Sequence, residues 1–313
     1  MAIDPDIAAL LTRLPAAQAA SLDSLRSDVD RALMSMQGAL EAVDRIDDLT
    51  VEGDEPSVAV PVRAYRPAAA KKDEKQPAIV FAHAGGWRLC SLQAYDNPCR
   101  ALANATGCVV FSVGYRLAPE HPYPTPLEDV YRALCWVADR AEQLEIDRHR
   151  IAVAGDSAGG NLAAAAALLA RDRHGPSIAH QLLIYPAVDT DLDTPSYAQF
   201  AGGYYLTRDM MRLCWEDYLG GRLSAPPVYA APLRANLSRL PSATIMVNEY
   251  DPLRSEGEAY ARKLRDNGVP AELILLEGMI HACMHMLGVA PAAGTLFIQA
   301  GRAIRQRFGL DPR

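Results

Sequence analysis

An α/β architecture, a mostly parallel sheet covered by helices on both faces, is the fold class this sequence predicts. Two observations carry it. Short apolar, β-branched runs alternate along the chain with longer segments of helical periodicity, the signature of successive βαβ units. These runs are apolar at nearly every position, as strands buried on both faces must be. Taken in order, the strands are 43–52, 57–65, 78–83, 108–113, 151–155, 181–185, 243–248 and 272–276, eight in all. The first two precede the alternation and read as an antiparallel start to the sheet. Between the later ones lie helical patterns at 97–105, 127–141, 158–173, 253–267 and 293–308. The charged, alanine-rich stretch 67–76 reads as a solvated loop.

Two segments break the alternation. Residues 1–42 carry Leu10, Leu11, Leu14, Leu22, Leu25, Val29, Leu33 and Met36 at roughly helical spacing. Residues 188–224 lack a strand pattern and hold aromatic residues, Gly202 and Gly203, and a helix at 207–218. Insertions of this kind in an α/β sheet commonly cover the strand ends where ligands bind. The expected division is therefore 1–42 as N-terminal cap helices, 188–224 as a cap insertion, and 43–187 with 225–313 as the catalytic domain.

Composition narrows the function classes. The 313 residues are 50% apolar and 22% charged, which excludes wholesale disorder. With 31 basic and 38 acidic residues the net charge is -7, and no Lys/Arg-rich run is present, so no nucleic-acid partner is expected. The N-terminal MAIDPDIAALL carries acids where an export signal needs cations. The longest uncharged stretch, 278–301, is interrupted by His281, His285 and Pro291, so no membrane span is expected either. Six cysteines lack any zinc spacing and read as reduced thiols of a cytoplasmic protein.

The sharpest local feature is Gly155-Asp156-Ser157-Ala158-Gly159, which follows an apolar strand and opens an alanine-rich helix. G-x-S-x-G alone arises by chance in about a tenth of chains this long. The strand–turn–helix setting is what makes it a nucleophile elbow, because only a tight turn lifts the hydroxyl to the strand's end. A helix N-cap serine is the competing reading. Upstream, His83-Ala84-Gly85-Gly86-Trp87 also ends a strand, and its glycines can aim backbone N–H groups at a ligand. His83 reads as a residue that orients this loop. A serine nucleophile needs a histidine base held by a carboxylate, and after such an elbow the acid precedes the base along the chain. Asp251 follows strand 243–248, with Glu249 as its rival and a helix cap as its plainer role; His281 follows strand 272–276, with His285 as its rival. His281 and His285 lack the intervening glutamate of a zinc-binding H-E-x-x-H. His174 and His180 read as solvated loop residues at the other end of the sheet.

Together HAGGW at 83–87, YRLAPEHPYP at 115–124, GDSAGG at 155–160, YDPLRSEG at 250–257 and GMIH at 278–281 resemble the hormone-sensitive-lipase-like family of bacterial carboxylesterases. The resemblance runs from about residue 57 to the C-terminus and is loose over the first 45 residues. It implies an α/β-hydrolase fold with an eight-stranded sheet and a helical cap. It implies Ser157, Asp251 and His281 as catalytic residues, and the N–H groups of Gly85, Gly86 and Ala158 as an oxyanion hole. The activity it implies is hydrolysis of short-chain acyl esters through an acyl-enzyme, without metal or organic cofactor. Amide or thioester hydrolysis by the same groups is the alternative within enzymes, and a non-catalytic receptor on the same fold the alternative outside them. The implied partners are a small ester substrate and a second copy of the chain, paired through a sheet edge. The chain departs from the family pattern at Ala84, where a glycine is usual, at Gly114, where an acid is common, and at Ala282-Cys283, where Gly-Phe is usual; Cys283 is expected to widen the pocket beside the base.

Overall fold

The strands are β1 (Arg45–Val51), β2 (Val60–Arg66), β3 (Gln76–Ala82), β4 (Val109–Val113), β5 (Ile146–Asp156), β6 (His180–Ile184), β7 (Ala243–Tyr250) and β8 (Ala271–Ile280). The computed structural model describes residues 2–13, 21–53, 59–68 and 74–311. All eight strands form one sheet in the order β1-β2-β4-β3-β5-β6-β7-β8. β2 pairs antiparallel with both β1 and β4, and every later pairing is parallel. The antiparallel start is thus as expected. β2 begins at Val60; Ser57 and Val58 of the expected strand, like Leu14 and residues 69–73 of the expected loop, lie outside the described residues.

Nine helices accompany the sheet among the described residues: α1 (Pro5–Leu11), α2 (Leu22–Met36), α3 (Asp96–Thr106), α4 (Thr125–Asp139), α5 (Ala158–Asp172), α6 (Pro195–Gln199), α7 (Arg208–Leu219), α8 (Arg254–Asp266) and α9 (Thr295–Phe308). Side chains alternate across the strands and so build two cores. Ala78, Val80, Ile151, Val153 and Ile245 face α4, α5 and α8, whereas Ile79, Phe81, Ala152, Ala154 and Met246 face α3 and α9. Helix α5 is buried along almost its whole length. Alanine suits that position, because small side chains let a helix lie close to both the sheet and its neighbours while keeping high helix propensity.

No helix among the described residues is long and apolar enough to cross a membrane. His180 corrects the sequence reading. It opens β6, is 5% exposed, and contacts Ser242 Oγ at 2.9 Å and Thr244 Oγ1 at 3.0 Å. Burial lowers its pKa to about 4, so the ring is a neutral core group. His174 is exposed as expected.

The strand order reverses beside β3: the chain moves outward to β4 and then returns across β3 to β5. Open α/β sheets bind ligands beyond the strand C-termini at such a switch point. Here those ends carry the 83–90 loop after β3 and Ser157 after β5, with Ala82 in register with Gly155.

Candidate active site

Ser157 stands between β5 and α5 with φ 54° and ψ −117°, a conformation that L-residues rarely adopt. The glycines two residues to either side have a steric cause. A Cβ on Gly159 would lie 1.9 Å from the Ala82 carbonyl oxygen, and one on Gly155 would lie 2.3 Å from the Gly159 backbone. Only glycine lets the elbow press against β3 this closely. Ser157 occupies the N-cap position of α5, yet its side chain makes no cap hydrogen bond. Its Oγ instead faces His281 Nε2 at 2.9 Å.

His281 follows β8, and its Nδ1 lies 2.8 Å from Asp251 Oδ2. Asp251, directly after β7, is fully buried; its Oδ1 accepts the Leu253 N–H at 2.9 Å, while Asn248 Nδ2 donates to Oδ2 at 3.3 Å. Because α8 begins at Arg254, Asp251 does not cap it; the carboxylate closes a short turn through one oxygen and meets His281 with the other. The three residues form one hydrogen-bonded line, brought together from positions 157, 251 and 281. The rivals are elsewhere. Glu249 accepts the Gly278 N–H at 2.8 Å, and His285 Nδ1 contacts Gln37 at 2.9 Å.

The 83–90 loop is held from several sides. His83 Nδ1 contacts the Ala84 carbonyl at 2.8 Å, and its ring stacks on Tyr115 at 4.2 Å, whose hydroxyl donates to the His83 carbonyl at 2.7 Å. Burial lowers the His83 pKa to about 4, so the ring is neutral and Nδ1–H is the donor, an orienting role. Trp87 stacks on Tyr218 of α7 at 4.4 Å and lies 4.3 Å from Trp215, fixing the far end of the loop. Gly85 and Gly86 have φ of 100° and 59°. Among the described residues no acceptor engages the N–H of Gly85 or Gly86, nor that of Ala158 at the first position of α5. Ala84 does not take a positive φ, so its methyl adds no backbone strain. Gly114 is packed too tightly for an acid: a Cβ there would lie 2.9 Å from Pro61 Cγ.

Asp156 and its partners were not legible as functional in the sequence. Its Oδ2 accepts from Tyr95 Oη at 2.9 Å and Tyr185 Oη at 3.2 Å, while Tyr95 Oη accepts the Ala84 N–H at 3.1 Å. This buried chain joins the 83–90 loop to the elbow, and the Tyr185 ring packs 4.9 Å from His281. Burial raises the Asp156 pKa to about 6, against the opposing hydrogen bonds of the two tyrosines. The folded protein therefore holds this proton more tightly than the unfolded chain, and stability contributed by Asp156 is lost as pH rises from about 4 to 6. Asp156→Asn, which keeps an acceptor for the tyrosines, should gain on wild type by at most about 3 kcal/mol between pH 4 and pH 7. Urea unfolding at both pH values measures this, and the difference between variants cancels the opposing titration of the buried histidines.

A cavity of about 110 Å³ opens in front of Ser157. Val29 and Leu33 of α2 and Met210, Met211 and Cys214 of α7 line it, together with Tyr95 and His285. Wider hollows near Arg150 and Arg305, and beside α3, contain none of the site residues. Cys283 lies outside the cavity wall: its thiol donates to Asn248 Oδ1 at 3.4 Å, so the expected widening beside the base is absent and Ala282 faces the space instead.

The chain is similar to known esterases in sequence and in fold. Residues 79–285 match the family described as the alpha/beta hydrolase fold. Carboxylesterase NlhH of Mycobacterium tuberculosis is 42% identical over 253 residues, covering 80% of this chain and 78% of that protein. The ethyl acetate hydrolase of Pseudomonas putida is 32% identical over 98% of this chain and 100% of its own. The hyperthermophilic esterase of the archaeon Pyrobaculum calidifontis superposes with a TM-score of 0.90 at 38% identity, covering 98% of this chain and 99% of that one. On sequence, fold and the clustering of a serine, a histidine and an aspartate on one rim, the chain belongs to the hormone-sensitive-lipase-like carboxylesterases of the α/β hydrolase fold.

Proposed function

We propose that this protein is a serine carboxylesterase acting on short acyl esters, with Ser157 as nucleophile, His281 as base and Asp251 as its orienting acid. The observation that carries the reading is the line from Asp251 through His281 to Ser157 Oγ at the floor of an apolar cavity. Ser157 Oγ attacks the ester carbonyl carbon while His281 Nε2 takes its proton. The oxyanion is held by the N–H groups of Gly85, Gly86 and Ala158, helped by the N-terminus of α5. The intermediate collapses, the alkoxide leaves with the proton from His281, and Ser157 remains acylated. Water, deprotonated by His281, then releases the carboxylic acid. Each step uses protein groups and water alone.

The small cavity favours a short acyl chain, since sites for drug-sized ligands span about 300–1,000 Å³. Segments 1–42 and 188–224 serve as the cap over it, and His281 in reach of Ser157 argues against a receptor that does no chemistry. A series of p-nitrophenyl esters of increasing chain length, with the matched amide and thioester, tests the reading. It expects kcat/KM to peak at short acyl groups and the ester to outrun the amide; a preference for the amide or the thioester would replace it. A homodimer paired through the exposed edge strand β8, in a cytoplasmic protein without a nucleic-acid partner, completes the proposal; a monomer by light scattering would remove the pairing.

The donor role of Gly86 has its own test. A Cβ there would lie 2.2 Å from Cys214 Sγ, and φ is 59°. Gly86→Ala should displace the N–H and lower kcat by about 10²–10³. Gly86→Ala with Cys214→Ala should recover part of that loss in steady-state assays, because the 2.2 Å contact with Sγ is removed while the 2.9 Å contact with the Cβ at position 214 and the backbone strain remain.

A further inference from the structure

Asn248 stands where β7 and β8 lose their register. From Asn248 to Tyr250 β7 advances two residues, while β8 advances four, from Leu276 to Ile280. The extra residues bulge around Gly278, whose φ is 73°. Asp251 and His281 directly follow the last paired residues, Tyr250 and Ile280, so the acid and the base emerge just beyond this break. A broken ladder fixes their relative position less firmly than a continuous one.

The Asn248 side chain spans the break. It is fully buried, and its Nδ2 donates to the Ile280 carbonyl at 2.8 Å and to Asp251 Oδ2 at 3.3 Å. A carbonyl only accepts, so the atom at Ile280 is the nitrogen and the amide has one orientation. Its Oδ1 accepts from the Cys283 thiol at 3.4 Å, which gives the amide a partner on each side. Asp251 Oδ2 is also the oxygen that meets His281 Nδ1, so two donors share it and each weakens its pull on the other. We propose that Asn248 is a positioning residue for the base: its amide ties Asp251 to the backbone before His281, and by sharing Oδ2 it leaves the imidazole free of its proton at lower pH. This rests on the esterase reading; Asn248 itself does not line the cavity.

Other ionisable groups packed around the pair are Asp156 and Tyr185 beside His281, Tyr197 and Glu256 beside Asp251, and Cys283 and His285 in the following turn. Burial keeps the phenols, the thiol and the Glu256 carboxyl protonated, and holds His285 neutral with its pKa lowered to about 3. Asp156, raised to about 6 by burial, titrates in the working range but is the same in every variant compared.

The test is the pH profile of kcat/KM for one p-nitrophenyl ester in wild type, in Asn248→Leu, which keeps a branched shape without the amide, and in Asn248→Ala. Without the second donor the whole charge of Oδ2 faces His281, the imidazolium is favoured, and the ring holds its proton to higher pH. The acid limb should move up by about half a pH unit, which is about a threefold loss of rate below the limb. In wild type the side-chain amide NMR signals of Asn248 should titrate with the midpoint of that limb. A limb that stays in place or moves down in a folded variant overturns the inference. Amide signals that do not move overturn it whether or not the variants fold. Absence of ester hydrolysis in wild type would instead overturn the esterase reading, and the inference with it.

Discussion

Ser157→Ala is expected to lower kcat for ester hydrolysis by about 10⁵–10⁶ while leaving the fold in place. The Ser157 hydroxyl has one side-chain contact, to His281 Nε2, and no role in capping α5, so its loss removes the attacking atom and little else. The unusual φ at this position is imposed by the glycines around it and is as accessible to alanine as to serine. Thermal unfolding should therefore shift by a few degrees at most, and circular dichroism should be unchanged. Residual activity above the uncatalysed rate is expected from the backbone N–H groups of Gly85, Gly86 and Ala158, which the substitution does not touch. A variant that hydrolyses esters at near wild-type rates would remove Ser157 from the chemistry.

Asp251→Asn should be almost as damaging, by about 10⁴ in kcat, and the reason lies in which oxygen faces which neighbour. The Leu253 N–H needs an acceptor at Oδ1. An asparagine would keep its oxygen there and turn its amide nitrogen towards His281 Nδ1. The imidazole would then accept at Nδ1 and carry its proton on Nε2, the nitrogen that must take the proton from Ser157. The side chain of Glu249 is occupied by the Gly278 N–H, away from His281, so Glu249→Gln should retain activity within about tenfold of wild type. Steady-state kinetics of the two variants decide between the carboxylates: a crippled Glu249→Gln beside an active Asp251→Asn would reverse the assignment.

What was legible in the sequence is what local chemistry dictates. The elbow announces itself because a serine between glycines at a strand–helix junction has few other uses, and Asp251 and His281 sit one residue past the ends of β7 and β8, on the same rim. The centre of the sheet was legible because the runs 78–82, 109–113, 151–155 and 243–247 are apolar at nearly every position, whereas β1, with Arg45, Asp47 and Asp48, is not such a run. Other features depend on packing between distant segments. Asp156 gains its role from Tyr95 and Tyr185, and Asn248 from the Ile280 carbonyl and Asp251. Nothing in the spacing of those residues marks the pairings. His180 was misjudged because its neighbours in sequence, His174 and Gly175, are exposed, whereas its partners Ser242, just before β7, and Thr244, within it, lie more than sixty residues away. Cys283 follows the base directly, which suggested a place on the cavity wall; the left-handed turn at Ala282 (φ 64°) carries its thiol to Asn248 instead.

The most direct measurement is the mass of the labelled active-site peptide. A p-nitrophenyl alkylphosphonate transfers its phosphonyl group only to a nucleophile that is both deprotonated by a neighbouring base and placed beside oxyanion donors. One adduct per chain is expected, on Ser157, formed in step with loss of esterase activity and absent in Ser157→Ala. An adduct on a different residue, or full inactivation with Ser157 unmodified, would contradict it.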